Sequence, residues 1–153
     1  MTIEIGQTAP EFSLKNQDNE VVSLSDFAGS QAVALVFYPF TFTGTCEGEL
    51  CAIRDDYSEF NDAGVQVLAC SCDTRFAQKQ WADKQGYQFP VLSDFWPHGE
   101  VAKAYGVFNE TAGCANRATF LIGADGVVGD SFASPDLGTA RDQSRYAEAL
   151  VKL

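Results

Sequence analysis

The stretch VALVFYPFTFTGTCEGEL, from Val33 to Leu50, carries the strongest structural signal in the chain. It begins as a nearly continuous apolar run, which is typical of a strand buried on both faces of a sheet, and Pro39 ends that strand. A threonine-rich turn follows, and Cys46 stands where a helix begins. We expect the chain to pass here from a central strand into a helix whose first turn carries a thiol.

Cys46 follows Thr43 at the spacing T-x-x-C, and threonine is a residue type that caps helix N-termini. This spacing places Cys46 at the third helical position, which holds Glu or Gln in a capping box. Unpaired backbone N–H groups and the positive end of the helix dipole stabilise an anion there. A thiolate would take the anionic place, so the sequence predicts a reactive cysteine.

Two carboxylates directly after Cys46 oppose a thiolate if they lie close to it. Glu47 and Glu49 suit the first helical turn, but nearby negative charge disfavours ionisation of a thiol. A compensating cation is therefore needed, and Arg117, at the edge of the predicted strand NRATFLI, is our candidate. Arg54 lies further along the same helix and is too far from the thiol to serve.

Strands and helices alternate along the chain. We expect two short strands around the turn NQDN, the strand AVALVFYP, a helix over 46–62 closed by Gly64, the strand VQVLACSC, and a helix over 74–85 that places Phe76, Ala77, Gln80 and Trp81 on one side. Next come the strand FPVLSD, the helix GEVAKAYG, a hairpin turning at Asp125-Gly126, and a helix over 139–152 with Tyr146, Leu150 and Leu153 inward.

This order of elements predicts an α/β fold. We expect a three-layer sandwich with a central mixed β-sheet and an N-terminal β-hairpin, of the thioredoxin-like kind, formed as a single domain over residues 1–153. Fold alone says little about function, so the function has to be argued from particular residues.

The surface charge is strongly acidic. The 153 residues include 10 basic and 21 acidic ones, for a formal net charge of −11. Such a surface repels phosphate backbones and anionic lipids, so we expect neither nucleic acid nor a membrane as partner. The sequence shows no apolar run that would span a bilayer and no signal peptide, which makes the cytoplasm the expected location.

The five cysteines do not form a familiar disulfide or metal pattern. They stand at positions 46, 51, 70, 72 and 114, and no C-x-x-C pair exists. The odd count argues against a disulfide scaffold, and the missing pair argues against a thioredoxin-type dithiol and a zinc site. Cys70 and Cys72 share one face of a strand and are expected in the core. The only histidine is His98, which we expect to be structural or at a dimer surface.

The segment PFTFTGTC resembles the peroxiredoxin motif P-x-x-x-T-x-x-C at Pro39, Thr43 and Cys46. The segments GQTAPEFSL, VSLSDFAG and VFYP, and the arginine at position 117, extend the resemblance over nearly the whole chain. FPVLSDFWPHGEVAKAYGVFNE and NRATF are most similar to the AhpE-type peroxiredoxins, many of which act with one cysteine.

The resemblance implies a thiol-dependent peroxidase that reduces hydrogen peroxide or organic hydroperoxides. Cys46 would be the peroxidatic cysteine, Thr43 and backbone N–H groups would hold the peroxide oxygens, Arg117 would stabilise the developing charge, and Pro39 would shield the pocket. No metal, haem or flavin is implied. Electrons would come from an external thiol or a thioredoxin- or glutaredoxin-like protein, and the chain would form a homodimer, with Phe95, Trp96 and Phe108 as candidate interface residues.

The role of Cys51 stays open at this point. The related bacterioferritin-comigratory peroxiredoxins carry a resolving cysteine five residues after the peroxidatic one, which is the spacing of Cys46 and Cys51. On an intact helix such residues have Cα atoms roughly 8.6 Å apart and point about 140° apart, whereas a disulfide tolerates about 7 Å. Cys51 is therefore either a resolving cysteine that needs the helix to unwind or an ordinary helix residue. Cys114, in the loop before Arg117, is a second candidate.

Two rival functions differ in what happens after oxidation. A redox sensor or relay would pass the oxidation of Cys46 to a partner protein, and turnover with an added reductant separates it from a peroxidase. A thioredoxin-like disulfide reductase would need the missing C-x-x-C pair.

Overall fold

The computed structural model describes residues 2–152 and contains one seven-stranded mixed sheet and one small two-stranded sheet in that range. The strands are β1 (Ser13–Lys15), β2 (Val21–Ser23), β3 (Ala32–Phe37), β4 (Val65–Ser71), β5 (Val91–Ser93), β6 (Phe108–Asn109), β7 (Cys114–Ala115), β8 (Ala118–Ile122) and β9 (Val128–Ala133). The helices are α1 (Gly44–Asp55), α2 (Tyr57–Asp62), α3 (Arg75–Gln85), α4 (Glu100–Ala104) and α5 (Ser144–Leu150), with a 3-10 turn at Leu24–Phe27.

The large sheet has the strand order β2-β1-β5-β4-β3-β8-β9. β3 pairs in parallel with β4 and antiparallel with β8, and β1 and β2 form the predicted N-terminal hairpin. Alternate residues of β3 enter opposite cores, Leu35 and Phe37 on one face and Ala34 and Val36 on the other. The prediction of a thioredoxin-like three-layer sandwich around a mixed sheet is confirmed.

The first and last predicted helices differ most from the observed ones. The helix expected over 46–62 is two helices, because Asp56, with φ −99° and ψ 14°, leaves the helical conformation between α1 and α2. Aspartate competes for backbone hydrogen bonds and therefore favours helix ends over interiors. The last helix begins at Ser144 rather than 139, because the Asp136 carboxylate accepts the N–H groups of Gly138 and Thr139 and holds a loop there.

The side of α3 that carries Phe76, Ala77, Gln80 and Trp81 is only partly its buried face. Trp81 is buried, but Phe76 is 67% exposed and Gln80 is also exposed. The buried positions are instead Gln78, Trp81 and Ala82, which have helical i, i+3, i+4 spacing. A polar side chain can occupy such a position when it is hydrogen-bonded, and the Gln78 amide donates to the Ser71 hydroxyl and the Leu92 carbonyl.

In α5 the inward residues are Tyr146 and Ala149, with Leu150 half-buried, and Leu153 lies outside the described residues. Among residues 2–152, no helix has the length and apolar character needed to cross a membrane.

Candidate functional site

Cys46 lies at the start of α1, where the chain leaves the central strand β3. Thr43 is the N-cap residue, Cys46 is the third helical residue, and the Glu47 N–H donates to the Thr43 carbonyl at 2.9 Å. The Cys46 side chain is fully buried, and its Sγ accepts a hydrogen bond from Arg117 Nη1 at 3.1 Å. The structure thus brings together the thiol and the cation that the sequence paired across 71 residues.

Thr43 does not cap the helix with its side chain, contrary to expectation. Its hydroxyl donates to the Phe40 carbonyl at 2.7 Å, within the turn. In the described residues no side chain caps the first N–H groups of α1, and the exposed Thr43 oxygen keeps lone pairs for a donor. Pro39 is buried ahead of the turn. The turn therefore presents backbone donors and a hydroxyl near Cys46.

Arg117 joins the thiol to a buried carboxylate. The same Nη1 that contacts Cys46 donates to Glu49 Oε1 at 2.8 Å, and Nε donates to the Leu137 carbonyl at 2.8 Å. The side chains of Arg117 and Glu49 are 4% and 1% exposed. Nη2 has no hydrogen-bond partner within residues 2–152 and is left to donate elsewhere.

Arg141 is the site residue that the sequence reasoning missed. Its backbone N–H and Nε donate to Glu49 Oε2 at 2.8 and 2.9 Å, and its Nη2 donates to Oε1 at 2.9 Å. Nη1 continues to the Phe37 carbonyl at 2.7 Å and to the Thr119 hydroxyl at 3.2 Å. The side chain of Arg141 is completely buried.

One signal for this cluster was available in the sequence. Cys46, Glu49, Leu50 and Ile53 have the spacing of one buried helical stripe, and all four are buried. A carboxylate on such a stripe needs cations around it, because an unpaired buried charge is very costly. From the sequence, Glu49 was expected to suit the first helical turn and to oppose a thiolate, and nothing local in TARDQSRY marks Arg141 as its partner.

Glu49 is ionised in the folded protein. Burial alone would raise its pKa, but the hydrogen bonds and charge of Arg141, with the hydrogen bond of Arg117, hold the pKa below its usual value. Two guanidinium cations and one carboxylate then leave one net positive charge beside the Cys46 sulfur. Such a charge favours the anionic form of a thiol.

Glu47 is turned toward α3 rather than toward the thiol. Its Oε1 accepts from Gln85 Nε2 at 2.8 Å and from Trp81 Nε1 at 3.4 Å. Arg54 adds to the contact between α1 and α3, because its Nη1 donates to the Gln85 carbonyl at 2.7 Å.

The other cysteines have different surroundings. Cys51 is half-buried, with Sγ 3.6 Å from Gln85 Oε1 and 3.4 Å from the Tyr87 hydroxyl. Cys70 and Cys72 are buried as predicted, and burial raises the pKa of Cys70 well above its usual value and that of Cys72 to about 12. Cys114 is buried in strand β7 rather than in the expected loop, and burial, followed by the charge of Cys46, raises its pKa.

Within residues 2–152, no group of three or more His, Cys, Asp or Glu side chains is arranged to hold a metal ion.

Fold and site together are those of a thiol-dependent oxidoreductase with thioredoxin-like architecture. The pattern of the AhpC/TSA family matches residues 5–131. The chain is 45% identical over 152 residues to alkyl hydroperoxide reductase E of Mycobacterium tuberculosis (strain ATCC 25618 / H37Rv), covering 99% of this chain and 98% of that protein. It is 38% identical over 132 residues to peroxiredoxin Bcp of Escherichia coli (strain K12), covering 82% and 83%.

Solved structures of peroxiredoxins have the same fold as this chain. Peroxidoxin BcpB from Mycobacterium tuberculosis superimposes with a TM-score of 0.86 at 28% identity, covering 98% of this chain and 96% of that one. AhpC from Enterococcus faecalis gives a TM-score of 0.88 at 27% identity, covering 99% and 92%. The chain belongs to the AhpC/TSA family, and the prediction of a peroxiredoxin, a thiol-dependent peroxidase, is confirmed.

The substitution Glu49→Gln should lower the free energy of unfolding at neutral pH by about 3–5 kcal/mol, because it leaves two buried guanidinium groups short of an anion. Since the pKa of Glu49 is lowered from 4.5, its contribution is complete above pH 4.5 and is lost as pH falls through the folded-state pKa. Urea unfolding between pH 3 and 7 should therefore show a smaller acid-induced loss in the variant than in the wild type.

The matched control is Glu59→Gln on the exposed face of α2. It should change the free energy of unfolding by less than about 0.5 kcal/mol. Equal stability of the Glu49 and Glu59 variants at pH 7 would contradict the structural role of the Glu49 carboxylate.

Proposed function

We propose that Cys46 is the peroxidatic cysteine of this enzyme and that hydrogen peroxide and organic hydroperoxides are its substrates. The observation that carries the proposal is the 3.1 Å contact between Cys46 Sγ and Arg117 Nη1 at the N-terminus of α1. A thiolate is the reactive form of cysteine, and both the helix start and the neighbouring guanidinium favour it.

The reaction is a displacement at oxygen. The Cys46 thiolate attacks the terminal OH oxygen of the hydroperoxide, an S–O bond forms, and the O–O bond breaks. The sulfur is oxidised to a sulfenic acid, and the leaving alkoxide or hydroxide takes a proton and departs as alcohol or water. The protein has to stabilise the charge that moves from sulfur to the leaving oxygen.

The surrounding groups have distinct roles in this step. The first N–H groups of α1 and Arg117 Nη2 donate to the peroxide oxygens, while the Thr43 hydroxyl, whose hydrogen is bonded to the Phe40 carbonyl, accepts the peroxide hydrogen. Pro39 keeps water from the sulfur. Glu49 and Arg141 act through Arg117, which they hold against Cys46.

We also propose that an external thiol, or a thioredoxin- or glutaredoxin-like protein, returns Cys46 to the thiol form in the cytoplasm. Thiol reductants are abundant in that compartment.

Cys51 is the proposed resolving cysteine. Its sulfur faces Gln85, at the end of α3, and the nearby Tyr87, while the Cys46 sulfur faces Arg117, which directly precedes β8. Gln85 makes three contacts with this side of α1, to the side chains of Glu47, Cys51 and Arg54. A disulfide between Cys46 and Cys51 would therefore require the start of α1 to leave α3 and unwind.

We further propose that the chain acts as one domain and forms a homodimer. The seven-stranded sheet takes strands from β1 through β9, which supports one domain. Trp96 and Phe95 are 81% and 46% exposed, as interface aromatics would be in a separated protomer. Phe108 is less available, because its ring packs 5.8 Å from that of His98 and lies under Lys103.

Cys46→Ser should lower peroxidase turnover by roughly 10³-fold or more, because the variant lacks the nucleophile. Turnover is measured with hydrogen peroxide, dithiothreitol and, separately, a thioredoxin system. Cys70→Ser and Cys72→Ser serve as controls and should retain turnover. Activity surviving in the Cys46 variant would refute the mechanism, and wild-type oxidation without turnover in either reductant system would favour the redox-relay function.

Arg117→Ala should slow Cys46 oxidation by about 10²-fold, the usual cost of removing one donor from a developing charge. The pH at which the oxidation rate is half-maximal should also rise, because a cation next to the sulfur is lost. Arg117→Lys should recover the rate only in part, since an ammonium lacks the forked donors of a guanidinium. The control Arg54→Ala should change neither quantity. An unchanged pH–rate profile in Arg117→Ala would contradict the assigned role.

One equivalent of peroxide should convert wild-type enzyme to a Cys46–Cys51 disulfide, detected by mass analysis. Far-UV circular dichroism should lose a little helix, and amides of residues 44–52 should exchange faster. Cys51→Ser should keep the first oxidation fast, accumulate sulfenic acid and overoxidise more readily. A long-lived sulfenic acid in wild type, with identical behaviour of the Cys51 variant, would make the enzyme a one-cysteine type.

A further inference from the structure

The turn that carries the proposed peroxide-binding groups contains one unfavourable backbone conformation. It joins the end of β3 to the start of α1, and within it Phe42 has φ +67°. A bulky residue rarely adopts this left-handed region, and such a conformation persists only where surrounding contacts hold it. The Phe42 side chain is 54% exposed and its ring centroid lies 6.4 Å from that of Trp81, so packing of the ring holds this conformation only in part.

The turn is hydrogen-bonded to the carboxylate of Asp73, which follows the neighbouring strand β4. The backbone N–H of Thr41, one residue before Phe42, donates to Asp73 Oδ2 at 2.8 Å. Thr41 is only 8% exposed, and its hydroxyl is 2.9 Å from the Tyr38 hydroxyl. Asp73 comes just after β4, which lies parallel to β3, so the bond joins the carboxyl ends of two adjacent strands.

Asp73 is itself fixed by the sheet. The Ser71 hydroxyl donates to the same Oδ2 at 2.7 Å, and the buried Gln78 amide donates to that hydroxyl at 2.9 Å. The Asp73 carbonyl accepts from the Ser93 hydroxyl at 2.6 Å. Because the Ser71 hydrogen is directed to the carboxylate by this chain of donors, Oδ2 is held at one position facing Thr41.

We infer that Asp73 is a positioning residue for peroxide reduction. Its Oδ2 keeps the strained turn in the conformation that presents the Thr43 oxygen to the peroxide. Without it, Phe42 can relax and Thr43, the next residue, moves away from its place. This role rests on the proposed function, because the position of Thr43 matters only if Cys46 reacts with a peroxide beside it.

The acceptor oxygen, and not the charge of Asp73, is what the turn requires. Oδ1 makes no hydrogen bond within residues 2–152, whereas Oδ2 accepts from both Thr41 and Ser71. Asparagine can offer its oxygen at the Oδ2 position and its amide at the other. Asp73→Asn should therefore support the reaction where Asp73→Ala does not.

Two reactions of the same sulfur separate positioning from a general structural effect. Oxidation by hydrogen peroxide needs donors on the peroxide oxygens, while alkylation by iodoacetamide needs the thiolate but not those donors. In Asp73→Ala the second-order rate constant for peroxide should fall about 10-fold or more, since small displacements of positioned groups cost up to about 10²-fold. The alkylation rate at the same pH should stay within about 2-fold, and Asp73→Asn should resemble wild type in both reactions.

Three outcomes would overturn the inference: an unchanged peroxide rate in Asp73→Ala, an equal fall in both reactions, or a loss in Asp73→Asn as large as that in Asp73→Ala. If Asp73→Ala does not fold, Ser71→Ala provides the test. This variant keeps the Asp73 carboxylate but removes the Ser71 hydrogen bond that fixes its position. That variant should lose peroxide rate several-fold relative to alkylation, and an unchanged ratio overturns the inference. Activity surviving in Cys46→Ser is the separate result that would remove the proposed function itself.

Discussion

The Glu49 carboxylate, buried between Arg117 and Arg141, is the constraint on which the rest of the site depends. It receives hydrogen bonds from both guanidinium groups and from the Arg141 backbone, at 2.8–2.9 Å. Through these groups one helix, the end of β3, the strand β8 and the segment before α5 meet at a single charge cluster. Removing one of the three charged side chains would leave the others buried without full charge compensation. The elements that carry them therefore hold one another in place.

If Cys46 is the reacting cysteine, as proposed, the cluster also explains how a fully buried sulfur can be kept ready for an anionic reaction. A single arginine next to a single glutamate would cancel, whereas two arginines around one glutamate leave a net positive charge in a low-dielectric surrounding. Fixed charges act more strongly there than in water, and they need no rearrangement when the reaction moves negative charge. Glu49, which the sequence suggests is an obstacle to a thiolate, is instead the group that keeps both cations in position.

The sequence predicted features that depend on neighbouring residues, and it missed contacts between residues that are far apart in the chain. The strand-to-helix passage around Pro39, Thr43 and Cys46 follows from hydrophobic pattern and spacing within a few residues, and it was placed correctly. The contact of Arg141 with Glu49 spans 92 residues and that of Asp73 with Thr41 spans 32, so no local pattern reports them. The buried face of α3 was not predicted for a related reason, since the hydrogen bonds that allow Gln78 to be buried come from β4 and β5.

Under the proposed roles of Cys46 and Cys51, the contacts on the two sides of α1 would decide how a sulfenic acid on Cys46 is consumed. On one side Arg117 holds the sulfur, and on the other Gln85 holds Glu47, Cys51 and Arg54. An external thiol would have to reach a sulfur that is fully buried and hydrogen-bonded to Arg117, but it would not need to break the Gln85 contacts. Attack by Cys51 requires the Gln85 contacts to break first, and each such hydrogen bond contributes about 1 kcal/mol, or roughly a 5-fold change in an opening equilibrium. Under the proposed roles of Cys46 and Cys51, the strength of the α1–α3 contact would therefore set the concentration of external thiol above which Cys51 is bypassed.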